Sequence, residues 1–367
     1  MKKLFLVSLA VLVIGALALA GCAQPAPAPS PAPAPKPPPA PTPTAAPAPA
    51  KADWTLKFHH HTTGKTADVL AQWAKQVEDV TKGRVKINIF PGATLGKEKE
   101  AYELATTGTA DISWGFLANF PGQFLMTDIA SLPLLGMPSG EVASRVLWGL
   151  YTKFPDAFAK EYKEVKLLTL HSSGTIPMAT TKKPVRTLED LKGLNVRIPG
   201  GPPTEMLKAL GGNPVTVPTA DLYAALEKGV VDGLCLGWMA MEDFKTYEVT
   251  KYFEETNFYA TAFWLVMNKK TWDSFPPDVQ QAIMSVSEEK GGIFLGKGWD
   301  ALGISSKNMI KKIAGKEIID IAPAEFAKWT ERAKPIWDAH IKKAAEKGLP
   351  AQEALDYALK LVKDYSK

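Results

Sequence analysis

The chain has 367 residues, with 43 Lys and Arg against 38 Asp and Glu, and two Cys. Lys2, Lys3 and Lys36 carry three of the five net positive charges, so the sequence from Lys51 onward is close to neutral at +2. That balance, with no basic run interleaved with aromatics, excludes a nucleic-acid footprint, and two cysteines exclude a disulfide-stapled scaffold.

Residues 1–22 read MKKLFLVSLAVLVIGALALAGC. Lys2 and Lys3 form a basic start, and Leu4 to Ala20 an apolar run of 17 residues. This is the plan of a secretory signal, and the run falls short of the roughly 20 residues that span a bilayer comfortably. Leu19-Ala20-Gly21-Cys22 resembles the end of a bacterial lipoprotein signal. The resemblance implies that Cys22 becomes the lipidated first residue of the mature chain. Residues 23–52 are expected to be a disordered linker. Thirteen Pro and ten Ala among residues 23–50 cannot build a core, and should run as polyproline II reaching about 85 Å. With Cys22 lipidated, Cys235 has no partner and reads as a small buried apolar residue.

The remaining chain alternates between strand-like and helical stretches. Trp54 to His59 reads as a strand. Thr66 to Thr81 reads as an amphipathic helix, with Val69, Leu70, Trp73, Val77 and Val80 at helical spacing. Strands are expected at Arg84 to Phe90 and Asp111 to Leu117, with a helix from Glu98 to Thr106 between them. A second set follows: Val165 to Leu170, Leu194 to Ile198, a helix from Pro203 to Leu210, then Pro214 to Val217. This rhythm predicts mostly parallel sheets with helices on their faces. YELATTGTAD (Tyr102 to Asp111) and YAALEKGVVD (Tyr223 to Asp232) share Tyr, Gly and Asp at the same offsets. Each ends a helix and leads into an apolar strand, which points to two related lobes. FYATAFWLVMN reads as a late strand, and the rest as helices, with Pro335 a potential kink.

Motifs for catalysis are missing. The sequence has no GxSxG, HExxH, paired CxxC or full GxxxxGK[ST] phosphate loop, and PGGPP does not match GxGxxG. His59-His60-His61 is a cluster in sequence only. Neighbours on a strand point to opposite faces, so the three cannot converge on one metal. No cofactor or metal is expected; one of the three facing a ligand pocket is the better use.

Arg197, in LNVRIPGG, is out of place in an apolar strand. A buried guanidinium needs a partner, and the nearest acids in sequence, Glu189 and Asp190, belong to the preceding polar turn.

From Lys51 on, the chain resembles the solute receptors of tripartite ATP-independent periplasmic (TRAP) transporters, the DctP family. VEDVTKGRVKINIFPGATLGKEKE, GTADISWG, SLPLL, KKPVRTLEDLKGLNVRIPG, ALGGNPVTVP, DLYAALEKGVVDG and LVMNKKTWDSFPPDVQQAI carry the resemblance, in order and at the family's spacing. It implies a two-lobed α/β fold of the periplasmic-binding-protein type (type II-like). Crossing strands and a long helix join the lobes, and the ligand lies in the interlobe cleft. By this pattern lobe I spans 53–174 and 263–302, and lobe II spans 175–262 and 303–367 with the C-terminal helices.

The resemblance also implies roles. The Arg of the R-x-P stretch, Arg197 here, forms a salt bridge with a ligand carboxylate. A planar fork at the carboxyl end of a strand suits that task. His61 and Thr62 fall after the first strand, Glu98 after the second, and Trp114 and Phe116 at the end of the third. Thr219 follows the Pro218 turn. Many relatives have a second Arg where this chain has Ile176. Where they read VDGQENP, this chain reads VDGLCLGW, placing Leu236 at the amide position and adding Trp238. Phe116 stands where sialic-acid receptors carry Glu. Three polar contacts become apolar, and a polyhydroxylated ligand would leave hydroxyls unpaired at about 1–3 kcal/mol each. The expected ligand is therefore a monocarboxylate with an apolar or aromatic body. The partners implied are this acid, two membrane subunits of a TRAP transporter, and a membrane reached through Cys22, on the periplasmic or outer face of the cell membrane. Monomer and dimer both remain open. Two other classes stay open at this point: an exported α/β enzyme acting on a carboxylate, and the ligand-sensing part of a signalling system.

Overall fold

The computed structural model describes residues 52–366. The signal-like segment, Cys22 and the Pro/Ala-rich stretch lie outside them. The strands are β1 (Trp54–His59), β2 (Val85–Phe90), β3 (Ile112–Phe116), β4 (Val165–Thr175), β5 (Met178–Thr180), β6 (Asn195–Arg197), β7 (Asn213–Val215), β8 (Gly233–Cys235), β9 (Tyr252–Glu255), β10 (Ala260–Asn268) and β11 (Glu317–Asp320). They form two sheets, ordered β2-β1-β3-β10-β4 and β11-β9-β5-β8-β6-β7. Each sheet is the centre of one lobe.

Side-chain alternation decides how the first sheet is covered. Leu56 and Phe58 of β1 and Val85 and Ile87 of β2 point to one face. The helix Gly64–Val80 buries Val69, Leu70, Trp73 and Val77 against them, at roughly 1.5–3 kcal/mol for each large side chain.

The two lobes repeat one plan. β1 pairs in parallel with β2 and β3, and β6 in parallel with β7 and β8. The echoed aspartates hold equivalent places. Asp111 accepts from Lys57 N at 2.8 Å through Oδ2, and Asp232 accepts from Asn195 N at 2.9 Å in the same way. Each thus ties the turn before one strand to its parallel neighbour. Gly108 and Gly229 end the preceding helices with φ of +79° and +70°, a conformation that favours glycine.

The sheets are mixed rather than mostly parallel. β10 runs antiparallel to β3 and β4, and β5 antiparallel to β8 and β9. The antiparallel members are the strands that cross between lobes. β4 leads through Ile176 and Pro177 into β5, and β9 returns through residues 256–259 into β10. The crossings bind each other: Ile176 N donates to Tyr259 O at 2.9 Å, and Phe258 N to Ile176 O at 3.4 Å. The 24-residue helix Glu288–Lys311 packs on β4 and on the helix Gly140–Lys153, and also against the helix Trp238–Asp243 that follows β8.

The C-terminal region departs from the sequence reading. It contains β11 as well as helices, and Pro335 lies inside one continuous helix, Pro323–Ala345. The last helix, Ala351–Tyr365, was expected with lobe II. Its Ala354, Leu355, Ala358, Leu361 and Val362 instead share a core with Val146, Leu147 and Leu150 of the lobe I helix Gly140–Lys153.

Candidate functional site

The carboxyl ends of β1 and β3 in one sheet and of β6 and β8 in the other face one cleft of about 480 Å³, the place where open α/β sheets hold ligands.

Arg197 ends β6 in lobe II. Its side chain is 7 % exposed, and its Nε donates to Val217 O at 3.3 Å. Among the described residues no carboxylate forms an ion pair with it. Burial pulls the guanidinium below its ordinary value, while the Glu98 carboxylate acts the other way. Glu98 is itself engaged: its Oε1 lies 3.0 Å from His61 Nε2. Burial, the largest single influence, would raise the Glu98 carboxyl, but the bond and charge of His61 together with Asn119 and Arg197 outweigh it and leave the group lowered.

The lobe I wall is aromatic. Phe263 of β10 stacks on Trp114 at 4.6 Å and on His171 at 5.0 Å, with Trp299 at 4.9 Å and Phe116 at 5.5 Å. Trp114 Nε1 donates to His171 Nε2 at 2.7 Å. Burial pushes His171 down to about 3, so its ring is neutral and free to accept. This bond fixes the indole plane that His61 overlies at 5.0 Å. From lobe II, Trp238 enters stacked on Phe253 at 5.5 Å, with Lys307 above its ring at 5.7 Å.

His59 and His60 are both buried and pushed down to about 4, burial being the largest cause in each. His61 alone of the three lines the cleft. No cluster among the described residues has the makings of a metal site.

The model of the DctP family, bacterial extracellular solute-binding protein family 7, matches residues 58–344. The chain belongs to this family. Its relatives include the 2,3-diketo-L-gulonate-binding periplasmic protein of Escherichia coli K12, 29 % identical over 246 residues that cover 65 % of this chain and 73 % of the relative. Among solved structures, a TRAP solute-binding protein from Rhodoferax ferrireducens T118, in complex with copurified benzoate, is 27 % identical with a TM-score of 0.79. The match covers 85 % of this chain and 98 % of that one. A marine-metagenome TRAP protein specific for aromatic acid ligands, holding metahydroxyphenylacetate, is 26 % identical with a TM-score of 0.79, over 85 % of this chain and 99 % of its own. DctP-family proteins are the substrate-binding components of transporters, not enzymes, which removes the enzyme alternative.

In this TRAP receptor every residue that the resemblance assigns to the ligand borders the cleft. His61, Thr62, Glu98, Trp114 and Phe116 do so from lobe I, Arg197, Thr219, Leu236 and Trp238 from lobe II, and Ile176 from the crossing between them. Glu98 stands apart, since its carboxylate is taken up in orienting His61.

Sequence reasoning missed Tyr259, Thr261 and Phe263 on the returning strand, and Trp299 and Lys307 on the long helix. The strand FYATAFWLVMN is apolar on both faces, so nothing local marks the side that meets the cleft. The helix positions follow from tertiary packing and carry no motif.

Proposed function

We propose that this receptor captures an organic monocarboxylate with an apolar or aromatic body, clamps its charge with Arg197, and delivers it to the two membrane subunits of a TRAP transporter. One observation carries the reading. A buried guanidinium at a strand end opens on an aromatic cleft, with no carboxylate at ion-pair distance among the described residues. An arginine left unpaired there would cost several kcal/mol, and the acid it lacks is supplied by the ligand. Ile176, Leu236 and Phe116 put apolar side chains in the cleft and favour a ligand body that is itself apolar. The benzoate and metahydroxyphenylacetate held by the two solved relatives are of this class. The E. coli relative's name states a sugar acid instead, and this is the reading to be tested against. The sequence Leu19-Ala20-Gly21-Cys22 supports a lipid anchor on the outer side of the membrane, with the Pro/Ala-rich stretch as spacer.

A thermal-shift panel decides between the two. Benzoate, phenylacetate and 3-hydroxyphenylacetate should raise the melting temperature, and glucuronate and 2,3-diketogulonate should not. Stabilisation by the sugar acids alone reverses the assignment.

A further inference from the structure

Tyr259 stands on the segment that returns from β9 to β10, between the lobes. Its side chain is 4 % exposed, and it borders the main cleft as well as a smaller cavity of about 20 Å³ that shares Phe116 and Thr261 with it. Its backbone is held in the crossing by the bond from Ile176 N to its carbonyl at 2.9 Å. The ring packs in the lobe II core with Ile176, Ile198 and Cys235.

The hydroxyl has no such anchor. Among the described residues no hydrogen bond reaches it, and what acts on it is burial, then Cys235, then Arg197. Burial drives the phenol upward, so it remains a protonated donor at any working pH. With no hydrogen bond among the described residues, the hydroxyl is open to the cleft and available to a ligand. The phenol and the guanidinium of Arg197 both line the main cleft.

We infer that Tyr259 donates a hydrogen bond to the same ligand carboxylate that Arg197 clamps, from the crossing that joins the lobes. The inference rests on the reading of Arg197 given above. A carboxylate has about four lone-pair sites. An arginine fork uses two of them, which leaves room for a third donor. The ligand would then be held by lobe II through Arg197 and by the crossing through Tyr259, so a bare carboxylate is read by two elements at once. A neutral amide or ester brings no charge to Arg197 and should bind more weakly.

The test is calorimetry with benzoate and phenylacetate on the wild type, Tyr259→Phe and Arg197→Ala, with the ligand-free melting temperature of each. Tyr259→Phe keeps the ring and should keep the melting temperature. Its affinity for both acids should fall roughly tenfold to a hundredfold, the range for losing one hydrogen bond to a charged group. Wild-type affinity in Tyr259→Phe with binding lost in Arg197→Ala overturns the Tyr259 contact and leaves the Arg197 reading standing. A lowered melting temperature with unchanged affinity assigns the hydroxyl to packing and overturns it as well. Wild-type affinity in Arg197→Ala, or no binding of either acid to the wild type, overturns both.

Discussion

Arg197 Nε donates to the carbonyl of Val217 at 3.3 Å. This bond occupies the inner edge of the guanidinium with the protein's own backbone and sets the plane of the fork from a residue two positions beyond β7. The side chain is thus oriented before any ligand arrives, which lowers the ordering cost of binding.

Arg197→Ala should abolish ligand-induced thermal stabilisation, a loss of about 2–5 kcal/mol in binding. The ligand-free protein should melt no lower than the wild type, because a buried charge without an acid has been removed. Arg197→Lys should lose most of the affinity too, since a point charge cannot reproduce the planar fork. Retained stabilisation in Arg197→Ala would sink the clamp.

The aromatic wall should set selectivity. Phe116 lies 5.5 Å from Phe263, which stacks on Trp114. Truncating Phe116 or Trp238 to Ala should weaken binding of an aromatic acid by about 1–3 kcal/mol, measured by calorimetry. Phe116→Glu should weaken it further, because a second carboxylate then faces the ligand's own. Equal affinity in all three variants would mean that the ligand body lies elsewhere.

Closure has its own contacts. Lys65 Nζ lies 2.6 Å from Glu242 Oε1, and Thr66 Oγ1 donates to Asp243 Oδ2 at 2.9 Å. Both pairs join the helix after β1 in lobe I to the helix after β8 in lobe II. The Lys65–Glu242 pair is part-exposed and worth at most about 1 kcal/mol, and the bond from buried Thr66 to a carboxylate about 1.5–3 kcal/mol. Glu242→Gln combined with Asp243→Asn should shift the ligand-free receptor toward an open form. Small-angle scattering should then record a larger radius of gyration, with affinity reduced several-fold. An unchanged radius would show that these contacts do not hold the lobes together.

Much of this site could be read from the sequence because its residues sit where strands end. Arg197 announces itself as a charge inside an apolar strand, and His61, Phe116 and Leu236 follow from the resemblance to DctP receptors, whose strand-end positions they match. The aspartates at 111 and 232 exposed the repeated plan, since a fixed role in tying parallel strands keeps a fixed offset from the glycine. Tyr259 and Trp299 stayed hidden for the opposite reason. A crossing strand buried on both faces has no polar alternation, and a helix that spans two lobes presents residues chosen by packing. The docking of Ala351–Tyr365 on lobe I was equally illegible, because an amphipathic stripe states that a face is buried but not against what.

Stability should depend on pH through Glu254. Burial pushes this carboxyl up to about 7, although Val185 N at 3.0 Å and Thr180 Oγ1 at 3.1 Å donate to it and pull the other way. A folded-state value above the unfolded one means that the folded chain holds the extra proton. The stabilisation is therefore whole below about pH 4.5 and is lost as pH rises through 7. Glu254→Gln removes this dependence. The wild type's advantage over the variant should shrink by on the order of 3 kcal/mol between pH 4.5 and 8 in denaturant titrations. A constant difference would show that Glu254 is ionised throughout.

The central claim is that a bare carboxylate with an apolar body fills this cleft. Native mass spectrometry of the receptor purified without added ligand, followed by release and identification of the retained molecule, tests it most directly. The expected result is a monocarboxylic acid with an aromatic or aliphatic body, present on the wild type and absent from Arg197→Ala. A polyhydroxylated sugar acid, or a molecule without a carboxylate retained equally by both proteins, would contradict it.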